Sequence, residues 1–355
     1  MSDFRIDKIT NRDGSAGTQI AGISTFSGTS GMVMPGGPTE HRGGRGRALW
    51  AGGYTPTNVN TIDYVEMATT GNATDFGDMG AARGGPTGGL NNGTRGIIAG
   101  GYNGGYKTEM YGVTMSSKGG SFDFGDMING SYAGNGMSNG VRGVLGNAGR
   151  GDNSTQAMIT FVNIASAGGD SEFGWNDAAR QVPTGVAGQK GEYSTGSSPT
   201  RGLMAGGHTH SSSCYKGINY ITIMTKGDAI DFGDLTTTNS YSGGAANSTR
   251  MIVFGGYTVS PNNTNAVNTI EYLTMATLGN ATDFGDMTDE VHSLAANATS
   301  TRAAVAGGRN DGNTIINTIE YVTISTTGNS ANFGDITSTR RGLTSSSDSH
   351  GGLGE

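Results

Sequence analysis

Six times along the chain an aromatic residue is followed by glycine and an acid or its substitute. The copies are Phe76-Gly-Asp78, Phe124-Gly-Asp126, Phe173-Gly-Trp175, Phe232-Gly-Asp234, Phe284-Gly-Asp286 and Phe333-Gly-Asp335. Successive Phe positions lie 48, 49, 59, 52 and 49 residues apart. Self-similarity at that period marks a chain built from one supersecondary unit that stacks on its own copies. A second phrase, arginine followed by an apolar stretch and Gly-Gly, heads the units at Arg47, Arg95, Arg201, Arg250 and Arg302, with a weaker copy at Arg142. The units run near 45–79, 83–127, 131–175, 180–235, 240–287 and 291–336.

Between the two phrases the spacing is fixed. Tyr64, Phe161, Tyr220, Tyr272 and Tyr321 each stand twelve residues before the Phe, and Ile62, Met110, Ile159, Ile218, Ile270 and Ile319 stand fourteen before it. The stretch from Thr269 to Met275 is rich in β-branched and aromatic residues, which marks a strand. Its apolar residues fall on both parities, so both faces of that strand are expected to be covered. No window carries a helical stripe at i, i+3, i+4. In the fifth unit four strands follow one another, at Ser240–Asn247, Arg250–Gly255, Thr269–Met275 and Ala281–Met287. Four strands per unit at this period predict an all-β propeller of six blades.

The ring has a visible closure. The stretch from Arg340 to Ser347 matches the first strand of a unit, while the first unit begins at its second strand, Arg47 to Gly53. The closing strand 340–347 is therefore expected to complete the first blade and remove two exposed edges. Gly-Gly ends the second strand, where positive φ lets the chain turn. No copy carries a P-loop pattern. Residues 1–40 lie outside the repeat as a polar, extended arm, leaving 41–355 for the propeller.

Composition narrows the function. The 65 glycines and 14% charged residues suit a chain held by backbone ladders rather than bulky side chains. A net charge of -7 argues against nucleic acid as the main partner. The cluster His41, Arg42, Arg45 and Arg47 reads as a solvated patch. The single cysteine, Cys214, excludes an intrachain disulfide framework. The segment MSDFRIDKIT lacks an apolar signal core, so synthesis in a cytoplasm is expected, and no apolar run approaches the ~20 residues of a membrane span.

Two places offer candidate chemistry. His208, His210 and Cys214 share one connection and could hold zinc or copper, but the other histidines belong to other units, and a solvated loop is the expectation. The Asp residues around each Phe-Gly-Asp offer oxygen donors to Ca²⁺, against the simpler reading of an Asx-type turn. No metal, cofactor or catalytic set is expected. The units differ mainly between Gly-Gly and the third strand, so binding is expected there. The candidates are Tyr54, Tyr102, Tyr106, His208, His210, Tyr215, Tyr257, Asn262, Asn263 and Arg309, gathered on one face of the ring. Trp50 and Trp175 sit in the repeat frame and are expected to be structural.

The Gly-Gly after an apolar strand, the later Tyr and the later aromatic resemble kelch repeats over roughly residues 41–350. Phe-Gly-Asp stands where kelch repeats usually carry Trp, and the gap from Gly-Gly to Tyr is long. The stretch from Asn268 to Asp286, repeated with variation at Asn60–Asp78 and Asn317–Asp335, resembles the Gly-rich kelch-like structural proteins of tailed phages of marine bacteria and cyanobacteria. Lys8 to Gly14 is similar to their short N-terminal attachment peptides. That resemblance implies a non-enzymatic virion protein, a tail or head fibre or appendage subunit. Its arm would dock on other virion proteins through Ile9, Ile20, Ile23, Phe26, Met32 and Met34, and its propeller would face a glycan or protein of the host surface. A cellular interaction or glycan-binding propeller is the alternative.

Overall fold

The computed structural model describes residues 25–27, 31–33, 46–132, 135–146, 158–176, 194–208, 214–258 and 265–353. Six antiparallel sheets of four strands form a six-bladed β-propeller, and in five of them the strands run in chain order from the axis outward. The inner strands are Thr87–Asn91, Asn135–Ser138, Ser194–Ser197, Gly243–Ala246, Ala295–Ala298 and Thr344–Ser347, and each neighbours the next around the axis. The second strands carry the arginine phrase, as in Arg250–Phe254, and the third carry the Ile-x-Tyr phrase, as in Thr269–Thr274. The fourth carry Phe-Gly-Asp, as in Thr282–Asp286.

The closure is as expected, with shorter bounds. Thr344–Ser347 pairs with Arg47–Ala51 in the register Thr344↔Ala51 to Ser347↔Ala48, so the last strand becomes the innermost strand of the first blade. Arg340 to Leu343 are not part of it. They form the crossover into that strand, and Arg340 is fully buried there.

There is no single central core. The buried apolar residues form six clusters, one in each seam between adjacent blades. The fifth blade shows why apolar residues occur on both parities. Met251 and Val253 face the fourth blade, while Ile252 and Phe254 face the sixth. Trp50 is fully buried in the seam between the sixth and first blades, and its Nε1–H donates to Ala295 O at 3.0 Å.

The repeated phrases are blade-to-blade fasteners. Each head arginine lays its guanidinium over an aromatic ring of its own blade, at 4.6 Å for Arg47 on Tyr64 and 4.7 Å for Arg250 on Tyr272. Its Nη1–H donates to a carbonyl of the next blade, at 2.7 Å from Arg47 to Met115, 3.0 Å from Arg250 to Ile324 and 2.9 Å from Arg302 back to Met67. Arg47 is thus a buried clamp and not part of a solvated basic patch; the residues before it in that cluster lie outside the described residues. The Phe-Gly-Asp phrase forms a second fastener. Its Phe carbonyl accepts a glycine N–H from the next blade's hairpin, as in Gly119 to Phe76 at 2.9 Å and Gly71 to Phe333 at 2.7 Å. A Cβ on the phrase's glycine would meet that hairpin's carbonyl, at 2.4 Å for Gly125 and 2.3 Å for Gly77.

The second blade carries Gly112 where the others carry the ring. Phe122, directly opposite in the ladder, covers that gap, and Arg95 lies over Phe122 at 5.4 Å. The six-fold pattern of contacts therefore survives a lapse in the six-fold pattern of residues.

Of the arm residues, Ile9, Ile20, Ile23 and Met34 lie outside the described residues. Phe26 and Met32 are backbone partners in a small hairpin of Thr25–Ser27 with Gly31–Val33. No helix among the described residues is long and apolar enough to cross a membrane.

Candidate functional site

Connections from second to third strands and crossovers from fourth strands to the next inner strand all emerge on one face of the ring. After four of the Gly-Gly pairs the next residue is placed by pairing with a crossover. Tyr54 bridges to Arg341, Tyr102 to Gly84 and Tyr257 to Ser240, while Arg309–Asn310 pairs with Val291–His292. Both glycines of the pair have positive φ, 62° and 108° at Gly52 and Gly53, which lets the strand end and turn toward the axis within two residues.

The crossovers share one further corner. Gly85, Tyr241, Ser293 and Gly342 occupy the same place in the repeat, with φ of 53°, 53°, 56° and 58°. Their backbones are linked around the axis: Ser293 N–H donates to Tyr241 O, Gly342 N–H to Ser293 O and Gly85 N–H to Gly342 O, at 2.8, 2.8 and 2.9 Å. Tyr241 and Ser293 hold a conformation that disfavours side chains, and so carry those side chains to the rim of the channel.

Inside this rim lies a cavity of about 560 Å³. Tyr54, Tyr102, Tyr106 and Tyr257 line it, so the structure brings four of the expected residues together. Tyr102 meets Tyr106 edge-on at 5.7 Å and Tyr132 at 6.0 Å. Across the mouth Tyr241 and Tyr257 stack at 5.2 Å, and His292 meets Tyr257 edge-on at 5.2 Å. Tyr54, Tyr102 and Tyr106 are exposed, whereas Tyr257 is buried. His208 packs its ring on Tyr241 at 5.4 Å, behind the lining. Tyr215 lies across Gly217, and Arg309 stands beside His292; neither lines the cavity. His210, Asn262 and Asn263 lie outside the described residues.

The sequence reading missed Tyr132, Tyr241, His292, Ser293 and Arg341, all on crossovers. The signal lay in the repeat frame, where glycine at 85 and 342 marks a left-handed corner that Tyr241 and Ser293 also occupy.

Charge in the cavity is one-sided. Among the described residues no Asp or Glu lines it, and Arg341, whose guanidinium lies over Tyr54 at 5.1 Å, is the charged side chain that does. Burial and the nearby Arg309 and Arg341 push the His292 pKa down to about 4, with Asp311 opposing, so His292 is neutral at pH 7. Its Nδ1 is bonded with Ser293 Oγ at 2.9 Å, and its buried Nε2 has no hydrogen-bond partner among the described residues.

The opposite end of the channel is stoppered. The short 3₁₀ turn Gly351–Leu353 follows the closing strand and is buried, with Gly351 against Asn247 and Ser197 and Gly352 against Ser138. The His350 Nε2–H donates to Asn91 O at 3.1 Å, and Nδ1 accepts Gly352 N–H at 3.1 Å. The channel between stopper and cavity is narrow, holding about 80 Å³. Leu294 and Leu343 line both spaces. The cavity is thus the mouth of a blind well.

The Phe-Gly-Asp turns are occupied by their own backbone. Asp75 Oδ1 accepts Gly77 N–H and Asp123 Oδ1 accepts Gly125 N–H, both at 3.1 Å, in Asx-type turns. Among the described residues no group of three or more His, Cys, Asp or Glu is placed to hold a metal ion. Cys214 is buried, its Sγ 3.4 Å from Tyr257 O. No known protein family matches the chain, and no curated protein matches it significantly.

Proposed function

We propose that this chain is a non-enzymatic virion structural protein, a tail or head fibre or appendage subunit of a tailed phage, which presents its propeller for recognition of a host surface. One observation carries the reading: the ring has two unlike ends. The chain enters the ring at Arg47, at the start of a second strand, on the face that carries the stopper. The tyrosine-lined well and the variable connections open on the other face. An arm that docks on the particle from the first face leaves the second free to meet a surface, as an appendage requires. The wall of the well is aromatic and polar, without paired acids among the described residues, which suits holding a ligand more than transforming it.

The two ends are tested separately. Removing residues 1–40 is expected to leave a folded ring that no longer enters particles; incorporation at normal copy number would overturn the docking role. Replacing residues 209–213 and 259–264 by short Gly-Ser turns, which keeps the buried Cys214 and Tyr257, is expected to abolish adhesion to host cells without changing the melting temperature. Adhesion unchanged by the replacement would make these connections passive.

A further inference from the structure

We infer that the blind well binds an acidic sugar, a hexuronate unit of a surface polysaccharide, with Arg341 taking the carboxylate and His292 a ring hydroxyl. The inference rests on the recognition reading and gives the well its ligand class.

Shape comes first. The space, about 560 Å³, fits one or two sugar rings, and the stopper at His350 and Gly351–Leu353 prevents a polymer from threading through. A chain end or a side branch is therefore what enters. The walls come next. Tyr102 and Tyr106 are exposed on one side, and the stacked pair Tyr241–Tyr257 lies on the other. Aromatic faces with hydroxyls at their edges take the apolar face of a sugar while bonding its rim.

His292 supplies the polar anchor. It is 1% exposed, it lines the well, and its Nε2 lacks a partner among the described residues. A buried ring nitrogen without a partner is costly, and a sugar hydroxyl both donates and accepts, so it suits either tautomer. Charge then decides among sugars. The whole chain is acidic, at -7, yet among the described residues Arg341 lines the well and no carboxylate does. Arg341 has no acidic partner among the described residues; its guanidinium rests on Tyr54. A guanidinium without an acidic partner among the described residues is matched by a planar carboxylate, which it grips through two parallel N–H···O bonds.

The test is calorimetric titration of the full chain with a short oligogalacturonate and with a neutral galacto-oligosaccharide of equal length. The acidic probe is expected to bind about ten-fold tighter at low salt, with the gap closing as salt rises. Arg341→Gln should erase that gap. Tyr102→Ala, at an exposed ring, should weaken both probes without lowering the melting temperature. Equal affinities for the two probes, or a gap that persists in Arg341→Gln, would overturn the inference. If neither probe binds while the chain still adheres to host cells, the acidic-sugar reading fails and the recognition role stands. Loss of both would end both.

Discussion

At the residue scale, charges are placed inside seams that otherwise exclude them. Arg340 and Asp63 are both fully buried and form an ion pair across the closing seam. Asp63 also accepts from the Thr337 hydroxyl at 2.8 Å and N–H at 3.1 Å, and Arg340 donates to Gly52 O and Thr61 O at 3.1 and 3.0 Å. Removing one member strands the other away from water. Arg340→Met is therefore expected to cost about 3–5 kcal/mol in denaturant unfolding, and the double change with Asp63→Leu to recover most of it. A double variant whose loss equals the sum of the two single losses would mean that the pair is not energetically coupled. His350 gives a pH-dependent case. Its neutral ring accepts Gly352 N–H at Nδ1, and burial pushes its pKa down from 6.5 to about 4. Between those values the unfolded chain binds a proton that the folded chain refuses, so stability falls as pH drops through that window. The full effect is on the order of 3 kcal/mol. His292 acts in the same direction, whereas Glu271 and Asp170, raised chiefly by burial, oppose it. The discriminating measurement is therefore the difference between wild type and His350→Gln: the variant's stability should decline less between pH 6.5 and 4.

At the element scale, the blade is a strand quartet whose repeated letters serve its neighbours. The glycine of Phe-Gly-Asp illustrates this. Gly125 has φ of 140°, and a Cβ there would sit 2.4 Å from Gly168 O, in the hairpin that the phrase fastens. Gly125→Ala is expected to lose about 2 kcal/mol or more, because strain and a displaced fastener add. Gly140→Ala, in open space without a positive φ, should be near neutral by thermal melting. What the sequence made legible follows from the same economy. Strand order, blade number and the two-faced burial of the third strand could be read because each arises from spacing and residue type within one unit. Closure could be read because a lone first-strand pattern near Thr344 had only the first blade to join. The fasteners could not. Arg250 bonds the Ile324 carbonyl 74 residues away, and backbone carbonyls leave no mark in a sequence. The site was half legible for a similar reason. Tyr54, Tyr102 and Tyr257 follow a recognisable Gly-Gly, whereas Tyr241, His292 and Arg341 reach the well from crossovers whose corner is defined by backbone angle. Phe122 was hidden altogether, since its role is set by the glycine opposite it.

At the scale of the whole molecule, the ring differs from an open stack of repeats in having no ends. A linear array distributes stability over nearest-neighbour seams and frays from its termini. Here six seams close on themselves, and residues 340–353 complete the sixth. That segment supplies the Arg340 side of the buried pair, the Thr344–Ser347 strand and the stopper. Without it, Arg47–Ala51 would present an unpaired edge in which every residue is otherwise buried, Trp50 included. Such an edge is sticky as well as unstable. Deleting residues 340–355 is therefore expected to give insoluble protein or a large fall in melting temperature. Deleting only 349–355 separates the two contributions. Asp348 is kept, whose Oδ1 accepts Arg47 N–H at 2.8 Å, so the ladder and the ion pair survive while the stopper is lost. The shorter truncation should stay soluble and melt only somewhat lower, with the channel opened from the face opposite the well. A longer truncation that melts like the intact chain would show that the first blade is stable with three strands, and that the ring does not depend on its clasp. If instead both truncations aggregate alike, the stopper rather than the strand holds the ring shut, and the weight of closure moves from the first blade's ladder to the turn at Gly351–Leu353.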